Sequence, residues 1–268
     1  MVNLQVSEVA KLCVFIYLAG YAVRRAEALR RSAGGFLVPV AILALVAALL
    51  LAEPDFGAAA VVLATGLALL FLAGAPLLWV VALGALGMAA AAALVVASPY
   101  RWERLTAFLN PWADPFDSGF QLTQALIAVG RGGWFGVGLG NSVQKLFYLP
   151  EAHTDFLFSV LAEELGVMGV TATVALFAYL VWRVLRIGSA AMAAGRPFGA
   201  YLCWAVGFWL GLQAFVNMGV NLGLLPTKGL TLPLMSYGGS SLVMTLLSLA
   251  LVLRVDYERR AAVREVQP

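Results

Sequence analysis

Residues 148–166, YLPEAHTDFLFSVLAEELG, gather Glu151, Asp155, Glu163 and Glu164 around His153, the single histidine of a 268-residue chain. A carboxylate can take a proton, hold a cation or anchor hydrogen-bond donors, and a histidine can orient a substrate or make a structural hydrogen bond. Asp155 stands where a polar segment meets an apolar one. Glu163 and Glu164 lie about two turns further on, pointing about 100° apart on a helix, so at most one faces a given cavity. Acids at such depth in an apolar segment need partners or protons, and a functional placement is the first expectation.

More polar groups flank this stretch. Arg101, Arg104, Arg131 and Lys145 fall in the long connection 98–155. They are either solvated loop charges and partners of nearby acids, or contacts for an anionic ligand, since a guanidinium fork suits a diphosphate. Gln121 and Gln124 share one side of an amphipathic run, 120–129, that reads as a short interfacial helix. Gln213, Asn217 and Asn221, spaced by four, form one stripe that is either glue between helices or the lining of a cavity. In 224–242, Pro226, Gly229, Pro233, Gly238 and Gly239 break regular helix, while Lys228, Ser236, Tyr237 and Ser240 supply donors. Irregular backbone at membrane depth is tolerated where it lines an enclosed cavity. The connections 98–155 and 224–242 are therefore expected to converge on one site. The run RGGWFGVGLG lacks the βαβ setting of a dinucleotide loop. It reads as a tight turn packed under aromatics, or as backbone N–H groups open to a phosphate or sugar.

The elements that hold these groups are membrane helices. The chain is 62% hydrophobic and 12% charged, against about a quarter charged in soluble domains. Residues 56–100 and 197–227 carry no charge at all. Such blocks mean helices, because backbone groups in lipid must be paired within the segment. An all-α polytopic membrane protein follows, with seven spans near 6–23, 35–52, 56–73, 77–97, 156–182, 198–225 and 234–253. A break falls at Gly74-Ala75-Pro76. Cys13 and Cys203 lie inside spans and read as small buried core residues, not as a disulfide. The net charge of +3 comes from loop arginines at a membrane surface and is no argument for nucleic acid. The start, MVNLQVSEVAKL, shows no cleavable signal. Arginines after the first, fifth and seventh spans fall on one side. The positive-inside bias places that side, with the tail 254–268, in the cytoplasm, and the 98–155 loop outside. The first span must then begin outside with nothing before it, so the chain is expected to lack an odd number of upstream spans.

SEVAK at 7–11, EPDFG at 53–57, GGWFGVGLGNSVQKLFYLPEAHTDF at 132–156, EELG at 163–166 and LPTKGLTLPLMSYGGSS at 225–241 together resemble the SEDS family (shape, elongation, division and sporulation). The Thr-Lys-Gly and KLFYLPEAHTDF segments are similar to its cell-division branch more than to its elongation branch. The resemblance implies a ten-helix fold matched here from just before the fourth helix, with three helices absent. It implies polymerisation of lipid II into peptidoglycan strands at the septum of the bacterial cytoplasmic membrane. The implied partner is a class B penicillin-binding protein, the septal transpeptidase, among other division proteins. It also matches the family's catalytic aspartate to Asp155. On this view Asp155 is the base; Arg101, Arg104 and Lys145 meet diphosphate or sugar; and His153 orients substrate. Gln121, Gln124, Asn217, Asn221, Lys228, Ser236, Tyr237 and Ser240 line the substrate site, and Glu8, Lys11, Asp55, Glu163 and Glu164 support it. No organic cofactor is expected; a divalent cation, Mg or Mn, held by Asp155 is an alternative role for that residue. Two rival readings are a lipid II flippase and a non-catalytic scaffold of the division machinery.

Overall fold

The computed structural model describes residues 5–117, 119–226 and 229–266, with only the backbone for Tyr100, Arg101, Arg104, Phe147, Tyr148 and 262–266. Lys228 lies outside the described residues. The regular elements among the described residues are all helices, without strands: α1 (Val6–Arg24), α2 (Ala26–Arg31), α3 (Ala33–Ala52), α4 (Phe56–Leu72), α5 (Leu77–Val96), α6 (Pro99–Leu109), α7 (Phe120–Gly132), a short π-helix (Gln144–Tyr148), α8 (Leu157–Ala193), α9 (Pro197–Asn221) and α10 (Gly239–Val266). Among them six are long and apolar enough to cross a membrane, and α4, at 17 residues, is a shorter apolar helix. All seven expected spans are helices. The 98–155 connection holds two α-helices and the π-helix where one helix was expected. Pro99 opens α6 at a first-turn position, where its missing N–H would have had no helical partner. At the other connection α10 starts only at Gly239, because Leu234 takes φ 66° in the preceding turn.

Two compact units divide the chain. The first comprises 1–84, 179–212 and 239–268. Here α1 packs against α2, α3, α4 and α10, burying Leu12, Phe15 and Leu18 with Leu69, Leu70, Trp209 and Leu210. Glu8 and Lys11 fall one turn apart on this inward face. They form a buried ion pair of 2.7 Å, with the Lys11 ammonium 5.1 Å from the Trp209 ring centre. Cys203 is buried as expected, but Cys13 is exposed. The inward stripe of α1 runs through Lys11, Leu12, Phe15 and Leu18, which turns Cys13 away from it.

The second unit comprises 85–178 and 213–238. It holds α6, α7, the π-helix, residues 157–178 of α8 and residues 213–221 of α9. One core cluster joins Ala125, Leu149, Ala152, Phe156, Val160 and Val220. A second joins Phe158, Phe177, Ala214, Met218 and Leu232. Helix α8 is broken at Gly166, whose φ of 63° and ψ of −162° only glycine adopts readily. The glycine-rich run fills that break. Val137 N donates to Glu163 O at 3.0 Å and Gly138 N to Glu164 O at 3.1 Å, while Val167 N donates to Gly133 O at 2.9 Å and Met168 N to Trp134 O at 3.2 Å. The run is a tight turn, as expected, but not one packed under aromatics. Trp134 and Phe135 are exposed rather than covering it, and the N–H groups of Val137 and Gly138 already have carbonyl partners.

Candidate functional site

The acids that opened the sequence separate into two sets within the second unit. Glu163, with no exposed side-chain surface, accepts hydrogen bonds from Arg131 Nη1 at 3.2 Å, from Val143 N and Gln144 N at 3.3 Å each, and from Ser142 Oγ. Glu164 accepts from Lys145 Nζ at 2.6 Å and from Ser142 N at 3.4 Å. Both glutamates therefore tie the 142–145 turn, and the π-helix it begins, to α8. A buried carboxylate is stable there because every donor around it is aimed at it.

Asp155 lies two residues before α8. Three successive main-chain carbonyls at this point are each held by another segment. His153 O accepts from Tyr237 N at 2.9 Å. Thr154 O accepts from Ser236 Oγ, which itself receives Leu232 N at 2.8 Å. Asp155 O accepts from the side-chain amides of both Asn217 and Asn221, at 2.9 Å each. The same stripe grips the facing connection: Asn217 Nδ2 also donates to Leu230 O at 2.6 Å, and Gln213 Nε2 donates to Thr231 O at 3.0 Å. The Asp155 carboxylate comes up beside Gly229; a methyl on that glycine would lie 3.1 Å from Oδ2. The expected convergence of 98–155 with 224–242 thus occurs, at 153–155 and 229–237.

The site brings together His153, Asp155, Asn217, Asn221, Ser236 and Tyr237. Of these, His153 and Tyr237 are exposed, Tyr237 at 79%. Asn217, Asn221 and Ser236, expected as substrate contacts, instead use their polar atoms on the backbone: the stripe is glue. Lys145, expected at a diphosphate, is paired with Glu164. Gln121 and Gln124 lie half-buried on α7. Arg101 and Arg104 lie on α6, with side chains outside the described residues. Glu8, Lys11, Asp55 and Ser240 belong to the first unit. There Asp55 caps α4 by accepting from Ala58 N at 2.9 Å, and Ser240 Oγ accepts from Gln5 N at 3.0 Å. Sequence reasoning missed Ser159, whose N–H and hydroxyl donate to Asn221 Oδ1 at 3.0 and 2.7 Å, and treated Gly229 only as a helix breaker. The adjacency of Gly229 to the Thr-Lys pair was the available signal.

These helices, with a polar centre built from two interrupted connections, define a polytopic membrane protein. The model of a family described as cell cycle protein, covering FtsW, RodA and SpoVE, matches residues 1–261. The chain belongs to that family. A protein of Alkalilimnicola ehrlichii named probable peptidoglycan glycosyltransferase FtsW is 65% identical over 268 residues, which is 100% of this chain and 67% of that one. The protein of the same name in Thioalkalivibrio sulfidiphilus is 64% identical over 256 residues, covering 96% and 64%. Among solved structures, a chain of a peptidoglycan synthase complex, described as coordinating polymerization and crosslinking, superposes with a TM-score of 0.72. It is 35% identical and is matched over 95% of this chain and 70% of that one. The rod shape determining protein RodA of Thermus thermophilus gives a TM-score of 0.61 at 32% identity, over 95% and 66%. The chain spans about two thirds of the length of these curated relatives.

Proposed function

We propose that this chain forms the catalytic part of a peptidoglycan glycosyltransferase that polymerises lipid II, with Asp155 as general base. The observation that carries this is the immobilised backbone around Asp155: three successive carbonyls held from α9 and from 232–237, beside a glycine that leaves the carboxylate room. The family supplies the chemistry. The 4-hydroxyl of a GlcNAc attacks C1 of the MurNAc on the donor. The new C1–O bond forms as the bond from C1 to the diphosphate breaks, turning an α linkage into a β one. The hydroxyl proton passes to Asp155, and the lipid diphosphate leaves with the bonding electrons. A base so placed contributes about 10²–10⁴-fold. Arg101, Arg104 and Lys228 are the cations proposed for the leaving diphosphate. Lys145 holds Glu164 and with it the loop. His153 and Tyr237, exposed beside Asp155, are proposed to face the sugars.

A divalent cation, Mg or Mn, fits this site only in company with substrate. Among the described residues no group of three or more His, Cys, Asp or Glu could hold a metal. Magnesium commonly binds through one or two carboxylates plus phosphate oxygens, which Asp155 and a diphosphate can supply. When bound it would neutralise charge on the departing diphosphate. The proposed setting is the division septum of the bacterial cytoplasmic membrane, with the 98–155 loop outside and the tail 254–268 inside. The proposed partner is the septal class B penicillin-binding transpeptidase.

The test uses the full chain in lipid vesicles, with and without that partner, supplied with purified lipid II. Polymer should form, and Asp155→Ala should abolish it while leaving lipid translocation unchanged. Translocation of lipid II without any polymer from the unsubstituted protein would overturn the enzyme in favour of a flippase; polymer that persists in Asp155→Ala would remove Asp155 from the chemistry.

A further inference from the structure

We infer that Asn217, Asn221 and Gly229 are positioning residues for Asp155, the asparagines acting through its main chain and the glycine through the room it leaves the carboxylate, none of them touching substrate. This rests on the proposal that Asp155 is the base. An aspartate side chain has only two torsions, so a shift of its backbone carries the carboxylate with it. A carbonyl oxygen has two lone pairs. At Asp155 two amides one turn apart on α9 both donate to it.

The orientation of these amides is fixed by their other bonds. Asn221 Oδ1 faces the Ser159 N–H and hydroxyl, which turns its NH2 toward Asp155 O; that NH2 also bonds Asn217 O at 2.9 Å. The NH2 of Asn217 divides between Asp155 O and Leu230 O. A single amide therefore sets the spacing between the Asp155 backbone and the segment that carries Gly229. Both asparagines are buried, at 2% and 0% exposure, so water does not replace them cheaply. Gly229 closes the arrangement. A Cβ there would sit 3.1 Å from Oδ2, close enough to push the carboxylate by a few tenths of an ångström, while Gly229 itself is exposed and its substitution spares the core.

Loss of one amide leaves the other on the carbonyl; loss of both frees the backbone at the reacting group. Displacement of about 1 Å at a reacting centre costs on the order of 10²-fold in rate. The experiment measures kcat and KM for lipid II polymerisation by the full chain with its partner, per folded molecule, with thermal unfolding followed in parallel. Asn217→Ala and Asn221→Ala should each lower kcat about tenfold, the double variant about 10²-fold or more, and Gly229→Ala about tenfold, all with KM within about threefold of wild type. Gly229→Ala keeps the test decisive if the buried variants unfold. Unchanged kcat per folded molecule in Gly229→Ala and in the asparagine variants would overturn the inference, as would a loss confined to KM, the mark of a substrate contact. Failure of the underlying proposal looks different: Asp155→Ala would then still polymerise.

Discussion

Glu163→Ala removes the acceptor for four donors at once: Arg131, Ser142 Oγ, Val143 N and Gln144 N. Ser142 and Gln144 are buried, at 1% and 7% exposure. A buried donor left without a partner costs about 1–3 kcal/mol. Two such donors, Ser142 Oγ and Gln144 N, with a smaller share from the part-buried Val143 N, give about 2–6 kcal/mol. Arg131 is different: its side chain is 46% exposed and rehydrates, but its deletion takes the cation from the buried Glu163 while three neutral donors remain, so it should cost about 1–3 kcal/mol. Glu163→Gln keeps the shape and part of the accepting capacity and should fall between. The loss is local, since the donors belong to 142–144 and the π-helix that follows. Amide hydrogen exchange of the peptide 142–149, in the full chain reconstituted in nanodiscs, reads it directly. Exchange should accelerate steeply in Glu163→Ala and less in Glu163→Gln and Arg131→Ala, which keep an acceptor for the 142–144 donors. Equal effects from Arg131→Ala and Glu163→Ala, or none from either, would refute the idea that a buried carboxylate organises this turn.

Two further outcomes follow from the geometry. Gly166→Ala adds a Cβ 2.5 Å from Gly136 N in a conformation reserved for glycine; a loss above about 3 kcal/mol should appear in thermal unfolding, with faster exchange at Val167 and Met168. Lys11→Met alone strands the Glu8 carboxylate in the first unit's core and should cost about 3–5 kcal/mol, while the double variant Glu8→Gln with Lys11→Met should return most of it, as measured by unfolding in detergent.

The spans were legible because a charge-free run in this composition can be satisfied only as helix. The chemistry-bearing segment was legible because acids are costly next to lipid and so stand out. What remained hidden has physical reasons. Helix α6 carries Arg101, Glu103 and Arg104 among aromatics, a pattern that reads equally well as loop. The break at Gly166 lies inside an expected span, just after Glu163 and Glu164, and the backbone segment that fills it is about thirty residues upstream, so local periodicity does not mark it. The spacing of Gln213, Asn217 and Asn221 fixes a common face but not what that face meets; carbonyls carry no sequence signature, so glue and lining looked alike. The pairing of Lys145 with Glu164 likewise depends on how the 142–145 turn folds back on α8. Cys13 followed from the phase of α1, which was set by Glu8 and Lys11 turning inward, against the usual expectation for charges.

The central claim is that Asp155, held in place by its neighbours, supplies the base for glycan polymerisation. Asp155→Asn is its sharpest test, since it preserves shape beside Gly229 while removing the negative charge and the capacity to take the proton. With the full chain and its partner in vesicles, the rate of lipid II polymerisation should drop by at least about 10²-fold, with unfolding behaviour unchanged. Polymerisation within about threefold of wild type would contradict the account.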